Sequence, residues 1–159
     1  VARLATDLAA ALPGARARER GEHTLVAKRL DAATGPDAAH RLQARLREAL
    51  GGTAPFAARV DGLDVFTDPP TGPAPVVFLR VESPGLRALH DRLCGRFEPV
   101  DGLEGEAYVP HVTVARGGDP GAAADIADRS IDPVDWTVDA LVLYDASRDL
   151  RVAEFNLPV

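Results

Sequence analysis

The chain has few of the residues that support cross-links, metal clusters or a surface that coats nucleic acid. Cys94 is its only cysteine, which excludes an internal disulfide and a cysteine metal cluster and fits a reducing cytoplasm. Methionine is absent, and Lys28 is the only lysine. No apolar run reaches the roughly 18 residues that a transmembrane helix requires, so no membrane span is predicted.

Size and charge narrow the classes of function further. A chain of 159 residues with a hydrophobic fraction of 46% predicts one packed domain over 1–159, with two lobes. The net charge of −6 argues against coating a long nucleic acid, because affinity for phosphates grows with the number of cations presented. It remains compatible with a local basic cleft that holds one phosphate or one RNA end.

Two kinds of phosphate chemistry have no counterpart in the sequence. The carboxylates are scattered and do not resemble a two-metal arrangement. The Gly-Gly pairs at 51–52 and 117–118 lack the Lys-Ser/Thr that accompanies a phosphate-cradling loop. We therefore expect chemistry that needs neither a metal nor a cofactor.

Apolar periodicity predicts an alternation of helices and strands. Asp37 and Ser83 stand where helix N-caps are expected. The predicted helices are 2–12, 38–50, 84–97 and 120–128, and the predicted strands are 23–30, 56–66, 75–82, 111–116, 134–144 and 150–157.

One stretch of the chain occurs twice. HTLVAK at 23–28 is echoed by HVTVAR at 111–116, and VDGLDVF at 60–66 is echoed by VDALVLY at 138–144. These echoes, in the same order, indicate an imperfect internal duplication. A strand precedes the helix at 84–97, whereas nothing precedes the helix at 2–12. We therefore expect that a natural first strand is missing from this sequence.

Each copy of the repeat begins with a histidine, which suggests paired proton transfer. An imidazole acts in either protonation state near neutral pH. Strand alternation places His111 and Thr113 on one face, where the Thr hydroxyl would stabilise charge on a phosphate oxygen. A single histidine on a strand is usually packed in the protein or faces solvent. Two histidines at equivalent points of a duplicated unit instead favour a catalytic pair, His23 and His111. His40 and His90, on helices, are interpreted as surface or boundary residues.

The second copy, with Pro110 before it and Arg116 after it, resembles the motif of the 2H phosphoesterase superfamily. Within that superfamily the sequence is most similar to the 2′-5′ RNA ligase, or RNA 2′,3′-cyclic phosphodiesterase, family. That family carries two His-x-Thr/Ser motifs on paired strands. The resemblance implies an α+β, two-lobed, pseudo-two-fold fold, with largely antiparallel sheets lining a central cleft and helices outside.

The resemblance also implies hydrolysis of an RNA-type 2′,3′-cyclic phosphate to a 2′-phosphate. By analogy alone, His111 is the base and His23 the acid, and the sequence does not order them. Thr113 would hold a phosphate oxygen. Arg116 matches a phosphate-binding position, although strict alternation puts it on the far face; a strand end or bulge at Gly117-Gly118 would swing it back.

The first copy departs from the family motif. Thr24 stands one residue early, and Leu25 occupies the place of the hydroxyl residue. A local bulge would restore Thr24 as a phosphate ligand. Lys28, equivalent to Arg116, is interpreted either as a replacement positive charge or as a solvated strand end. The alternative function is a drifted module that binds RNA ends or a nucleotide without turnover; joining RNA through a 2′-5′ linkage is a remoter possibility.

The expected partners follow from this interpretation. They are RNA 3′ ends or small nucleotides with a cyclic phosphate. We expect no membrane partner and a cytoplasmic location. We expect a monomer, although the sequence does not determine the oligomeric state. Arg16, Arg18 and Arg20 are interpreted as a solvated loop rather than as RNA contacts. Tyr108 or Phe66 is a candidate to stack a terminal base.

Overall fold

The structure is a computed structural model, and it describes residues 2–18, 22–31 and 37–158, so that Arg20 lies outside the described residues. The α-helices in these ranges are α1 (Ala2–Ala9), α2 (Ala38–Leu50), α3 (Pro84–Cys94) and α4 (Pro120–Ala127), with a 3₁₀ turn at Gly105–Ala107. The strands are β1 (Arg16–Ala17), β2 (Phe56–Phe66), β3 (Val76–Glu82), β4 (His111–Arg116), β5 (Val134–Val138), β6 (Ala140–Asp145) and β7 (Leu150–Asn156).

The strands form two sheets in which every pairing is antiparallel. The larger sheet has five strands in the order β1-β4-β3-β2-β5, and β6 and β7 form a separate two-stranded hairpin. Strands and helices in one chain, with antiparallel sheets, confirm the predicted α+β class.

One face of the five-stranded sheet forms the first hydrophobic core. Alternate residues of β3, namely Val77, Leu79 and Val81, point to this face, as strand periodicity requires. Helices α1 and α4 cover it, with Leu8 of α1 and Ile126 of α4 among the buried residues. The opposite face of the sheet is therefore the one available for a site.

A second hydrophobic core lies under the hairpin. It joins α2 and α3 to β6 and β7 without members of the first core. Its buried members are Leu46, Ala49, Leu50, Leu89, Leu93, Phe97 and Phe155.

Several predicted boundaries differ from the observed ones. Helix α1 ends at Ala9 instead of residue 12, and α3 ends at Cys94 instead of residue 97. The predicted strand 134–144 is two strands, because 134–138 pairs with β2 and 140–145 pairs with β7. The chain changes sheet at Asp139, which apolar alternation alone does not reveal.

One predicted cap is confirmed and the other is wrong. The Ser83 hydroxyl accepts a hydrogen bond from the backbone N–H of Leu86 at 3.1 Å and donates to the carbonyl of Ala57 at 2.6 Å. Asp37 has φ 58° and makes no side-chain capping bond to the described residues of α2. An N-cap requires extended backbone to direct its side chain over the first turn, and the left-handed conformation of Asp37 does not do this.

The predicted strand 23–30 is also wrong. Within this described segment only Leu25 forms a bridge, to Val112. The carbonyl of Val26 accepts a hydrogen bond from the Tyr108 hydroxyl at 2.7 Å, and the carbonyl of Ala27 lies 2.8 Å from Nδ1 of His90. Side chains thus satisfy backbone groups that a strand ladder would otherwise pair.

Candidate active site

Strand β4 carries the second copy of the repeat in the interior of the five-stranded sheet. It pairs with β3 on one side and with β1 and Leu25 on the other. Val112 and Val114 belong to the first core, so His111 and Thr113 lie on the opposite face. We call this opposite face the site face.

A β-bulge brings Arg116 to the same site face. Val77 of β3 pairs with Ala115 and the next residue, Phe78, pairs with Thr113, which leaves Val114 without a partner in β3. Val114 and Ala115 are consequently both buried in the core. The bulge lies inside β4, earlier than the expected position at 117–118, and it reverses the alternation that would have sent Arg116 to the far side.

The His111 ring is held by two aromatic rings and one backbone carbonyl. It packs edge-on against Phe66 and Phe78, with centroid distances of 5.2 Å to each. Its Nδ1 lies 2.7 Å from the carbonyl of Val109. A neutral imidazole in this position carries its proton on Nδ1, which leaves the lone pair of Nε2 to accept a proton.

Burial is the main cause that lowers the pKa of His111 from its ordinary value. The hydrogen bond to Val109 acts in the opposite direction, and the positive charges of Arg29 and Arg116 lower the pKa further. His111 is therefore neutral at pH 7, which is the form required of a general base.

Neighbouring positive charges also affect the pKa of Arg116. Burial, then the charges of Arg18 and Arg29, lowers the pKa of Arg116. One nitrogen of Arg116, Nη1, donates to the carbonyl of Thr71 at 2.9 Å, which ties the side chain to the loop between β2 and β3. Arg29 was not identified from the sequence, since nothing in its local pattern distinguishes it from the other arginines.

The bridge between Leu25 and Val112 sets the register of the first copy. Directly opposed residues of an antiparallel pair point to the same face, and Leu25 accordingly packs against the first core. The two copies lie side by side at this bridge, and His23 and Thr24 precede it in a segment that is not a strand.

His23 and Thr24 have different environments. Both ring nitrogens are buried and have no hydrogen-bond partner among the described residues, whereas Thr24 is exposed. Burial lowers the pKa of His23; Glu22 raises it and Arg18 lowers it. The catalytic role of His23 stays a prediction.

Lys28 is part of a buried ion pair, and its assignment as a phosphate ligand is not retained. Its ammonium nitrogen lies 2.5 Å from a carboxylate oxygen of Glu104 and also donates to the carbonyls of Arg29 and Glu98. The Lys28 side chain is 3% exposed and that of Glu104 is 0% exposed. All three ammonium protons are used within the protein, so none is free for a substrate.

His90 and Tyr108 anchor the same segment and are not available for the roles proposed above. The His90 ring is fully buried, so the interpretation as a surface or boundary residue is wrong. It stacks on Tyr108 with centroids 3.7 Å apart, and its Nε2 accepts from the backbone N–H of Gly105 at 2.9 Å. Tyr108 is also buried, which excludes it as an open stacking platform, whereas Phe66 lies against the His111 ring.

Metal centres and membrane spans are two further features that bear on function. Within 2–18, 22–31 and 37–158, no group of three or more His, Cys, Asp or Glu side chains is placed to hold a metal ion. In the same ranges, none of the helices has the length and apolar character needed to cross a bilayer.

Comparison with known proteins places the chain in a family. A crystal structure of TT0787 of Thermus thermophilus matches with a TM-score of 0.56 at 22% identity, covering 98% of this chain and 92% of that one. This similarity supports a 2H phosphoesterase-like fold. No curated protein matches. The sequence model of the 2′-5′ RNA ligase superfamily matches residues 24–150, and the chain belongs to that superfamily.

Proposed function

We propose that the protein hydrolyses 2′,3′-cyclic phosphates at RNA ends or on small nucleotides to 2′-phosphates, without a metal. The observation that carries this proposal is the site face of β4. It presents His111 with Nε2 free to accept a proton, beside Thr113 and Arg116. Membership of the 2′-5′ RNA ligase superfamily supports phosphoester chemistry in general.

In the proposed reaction, Nε2 of His111 removes a proton from water as the water oxygen attacks phosphorus. The new P–O bond forms while the bond from phosphorus to the ribose 3′ oxygen breaks. A proton must reach that departing oxygen, and the product carries a 2′-phosphate. A positioned general base contributes about 10²- to 10⁴-fold to such a step.

Thr113 and Arg116 supply the electrostatic part of the mechanism. Charge accumulates on the non-bridging oxygens as the attack proceeds, and fixed donors aimed at those oxygens stabilise the transition state. Thr24, exposed and one residue before the Leu25 bridge, is proposed as a further hydroxyl donor. Threonines from both copies of the repeat would then hold the phosphate.

His23 is proposed to protonate the departing oxygen by family analogy alone. Its buried ring nitrogens, unpaired among the described residues, would have to gain access to the site face for this step. An unpaired buried imidazole is costly, and such groups in proteins call for an explanation, of which catalysis is one.

The test measures turnover of a nucleoside 2′,3′-cyclic phosphate by the wild type and by His111→Ala, His23→Leu and His40→Ala. His40 is exposed on α2 and serves as the matched control. We expect a loss of about 10²- to 10⁴-fold for His111→Ala and none for His40→Ala. Full activity in His111→Ala would refute the proposal. A similar loss in His23→Leu supports the histidine pair, and wild-type turnover in His23→Leu assigns the chemistry to a site with one histidine.

A second candidate function is a binding module that holds the same ligands without turnover. The specific observation in its favour is that both ring nitrogens of His23 are buried, which keeps this imidazole from a substrate. Nucleotide binding measured by calorimetry, with no product at high enzyme concentration, would favour this candidate over hydrolysis.

A further inference from the structure

A polar cavity lies at the outer edge of β2, where the pairing with β5 ends at Val60. A bulge between Val60 and Gly62 follows directly. The end of α4 and the loop after it form the other wall of the cavity. Its volume of about 340 Å³ lies within the range of small-molecule sites. The charged and hydroxyl side chains that line it are Asp61, Arg80, Arg129 and Ser130.

The register of the sheet places this cavity next to His111. Arg80, which lines the cavity, is the cross-strand partner of His111 in the ladder between β3 and β4. Directly opposed residues of an antiparallel pair point to one face with Cβ atoms about 5 Å apart, so Arg80 lies on the site face. Gly62 is opposite Arg80 on the next strand, which puts Gly62 roughly 10 Å from the backbone of His111. A nucleotide whose phosphate lies at His111 can span this distance with its base.

The Arg80 guanidinium is fixed at the cavity by an ion pair and by the missing side chain of Gly62. Its Nε lies 3.0 Å from Oδ1 of Asp61. A Cβ at position 62 would lie 2.6 Å from Nη2 of Arg80, so glycine leaves room for the guanidinium here. The Arg80 side chain is 50% exposed and that of Asp61 is 30% exposed. With the described residues the pair uses Nε and Oδ1, which leaves the two Nη groups and Oδ2 for a ligand.

The cavity lining combines two groups of donors with one acceptor. Arg80 and Arg129 offer guanidinium N–H groups, and Asp61 offers a carboxylate. Guanine carries O6 and N7 as neighbouring acceptors, which is the pattern that arginine recognises, and its N1–H and N2–H groups suit a carboxylate. Adenine carries a donor in place of O6, and the pyrimidines have no N7. Of the four RNA bases, guanine therefore fits this lining best.

We propose that Asp61, Arg80 and Arg129 form a nucleobase site that prefers guanine on the nucleotide whose phosphate lies at His111. The proposal rests on the proposed function for the position of that phosphate. Arg80 is a specificity residue in this scheme, since it donates to the base and takes no part in proton transfer. The outer edge of the sheet thus selects the base, and β4 carries the chemistry.

The test compares the binding of guanosine, adenosine and cytidine 2′-phosphates to the wild type by isothermal titration calorimetry. We expect guanosine 2′-phosphate to bind about 10- to 100-fold more tightly than the other two, as one bidentate base contact allows. Asp61→Asn should remove most of this preference, because the amide replaces an acceptor of the N1–H and N2–H groups by a donor. Its affinity for adenosine 2′-phosphate should not fall, whereas a purely structural role of Asp61 would weaken all three nucleotides alike.

Gly62→Ala tests the position of Arg80 without changing any charge. The added methyl group displaces the guanidinium, so the preference for guanosine should fall while binding of adenosine 2′-phosphate changes little. Asp135→Asn is the matched control, since Asp135 pairs with Arg59 of β2 at 3.3 Å and does not line the cavity. It should keep the wild-type preference. Absent binding or equal affinity of the wild type for the three nucleotides, or an undiminished preference in either cavity variant, would overturn the proposal.

Failure of this proposal and failure of the proposed function give different results. Hydrolysis of the four nucleoside 2′,3′-cyclic phosphates with equal kcat/KM leaves the function standing and removes the base site. A preference for guanosine in binding, without hydrolysis of any cyclic phosphate, does the opposite. If Asp61→Asn does not fold, the wild-type comparison and Gly62→Ala still decide the question.

Discussion

The buried pair of Lys28 and Glu104 leads to a sharp prediction about stability. Glu104→Gln keeps the shape of the side chain and removes its charge, which leaves the Lys28 ammonium buried without a counter-ion. Breaking a buried pair by removing one partner costs about 3–5 kcal/mol. Because the carbonyls of Arg29 and Glu98 still accept from this ammonium, we expect a loss near the lower end, about 3 kcal/mol.

Chemical denaturation with urea measures this loss as a difference in the free energy of unfolding. Glu48→Gln is the control, since Glu48 pairs with Arg96 at 3.0 Å with both side chains exposed. An exposed pair contributes about 0–1 kcal/mol. Replacing both buried partners, as Lys28→Met with Glu104→Leu, should recover much of the stability, because no unpaired charge then remains. Equal losses for Glu104→Gln and Glu48→Gln would refute the reasoning.

The same pair predicts a dependence of stability on pH. Burial by itself raises the pKa of Glu104, but hydrogen bonds from Lys28, Val100 and Arg29 lower it overall. The resulting stabilisation is fully present above the unfolded pKa, about 4.3, and is lost as the pH falls through the lower folded value. The unfolding free energy of the wild type should therefore fall more steeply below about pH 4 than that of Glu104→Gln.

Three further predictions concern the site. Thr113→Val should reduce turnover of a cyclic phosphate by about 10²- to 10³-fold, with Thr113→Ser retaining most of it; equal rates for Val and Thr would remove Thr113 from the mechanism. Because burial lowers the pKa of His111, the acidic limb of the profile of kcat/KM against pH should have its midpoint below 6.5, and a midpoint above that value contradicts the role of His111 as base. Tyr108→Phe should cost about 1–3 kcal/mol of unfolding free energy by denaturation, since it leaves the Val26 carbonyl without its donor; an unchanged value would show that water replaces the hydroxyl.

The parts of the fold that the sequence predicts well depend on local patterns. Residues close together in the sequence determine the apolar alternation of β3 and β4 and the leucine stripes of α2 and α3. The structure confirms these elements. The position of the bulge at Val114 is harder to predict, because its cause is the pairing of β4 with β3 and the glycines that suggest a bulge stand later, at 117–118. Sequence alternation alone therefore assigned Arg116 to the wrong face.

The predicted strand 23–30 is wrong for a different reason. Its apolar pattern is that of a strand, but its hydrogen-bond partners are far away in the chain: Glu104 lies 76 residues from Lys28, and Tyr108 lies 82 residues from Val26. A local pattern carries no information about such partners. For the same reason the pattern predicts Lys28, the counterpart of Arg116, to be a replacement positive charge or a solvated strand end, whereas its charge is used inside the protein.

These distant partners connect the two copies of the repeat more closely than the single bridge between Leu25 and Val112. Glu104 and Tyr108 precede β4 directly, and they hold the backbone of 26–29 through side chains rather than through a ladder. Since buried polar contacts have specific geometry, they fix the first copy relative to His111 more firmly than apolar packing alone would. The first copy is thus held in place by side chains, whereas the second copy is held by the ladder between β4 and β3.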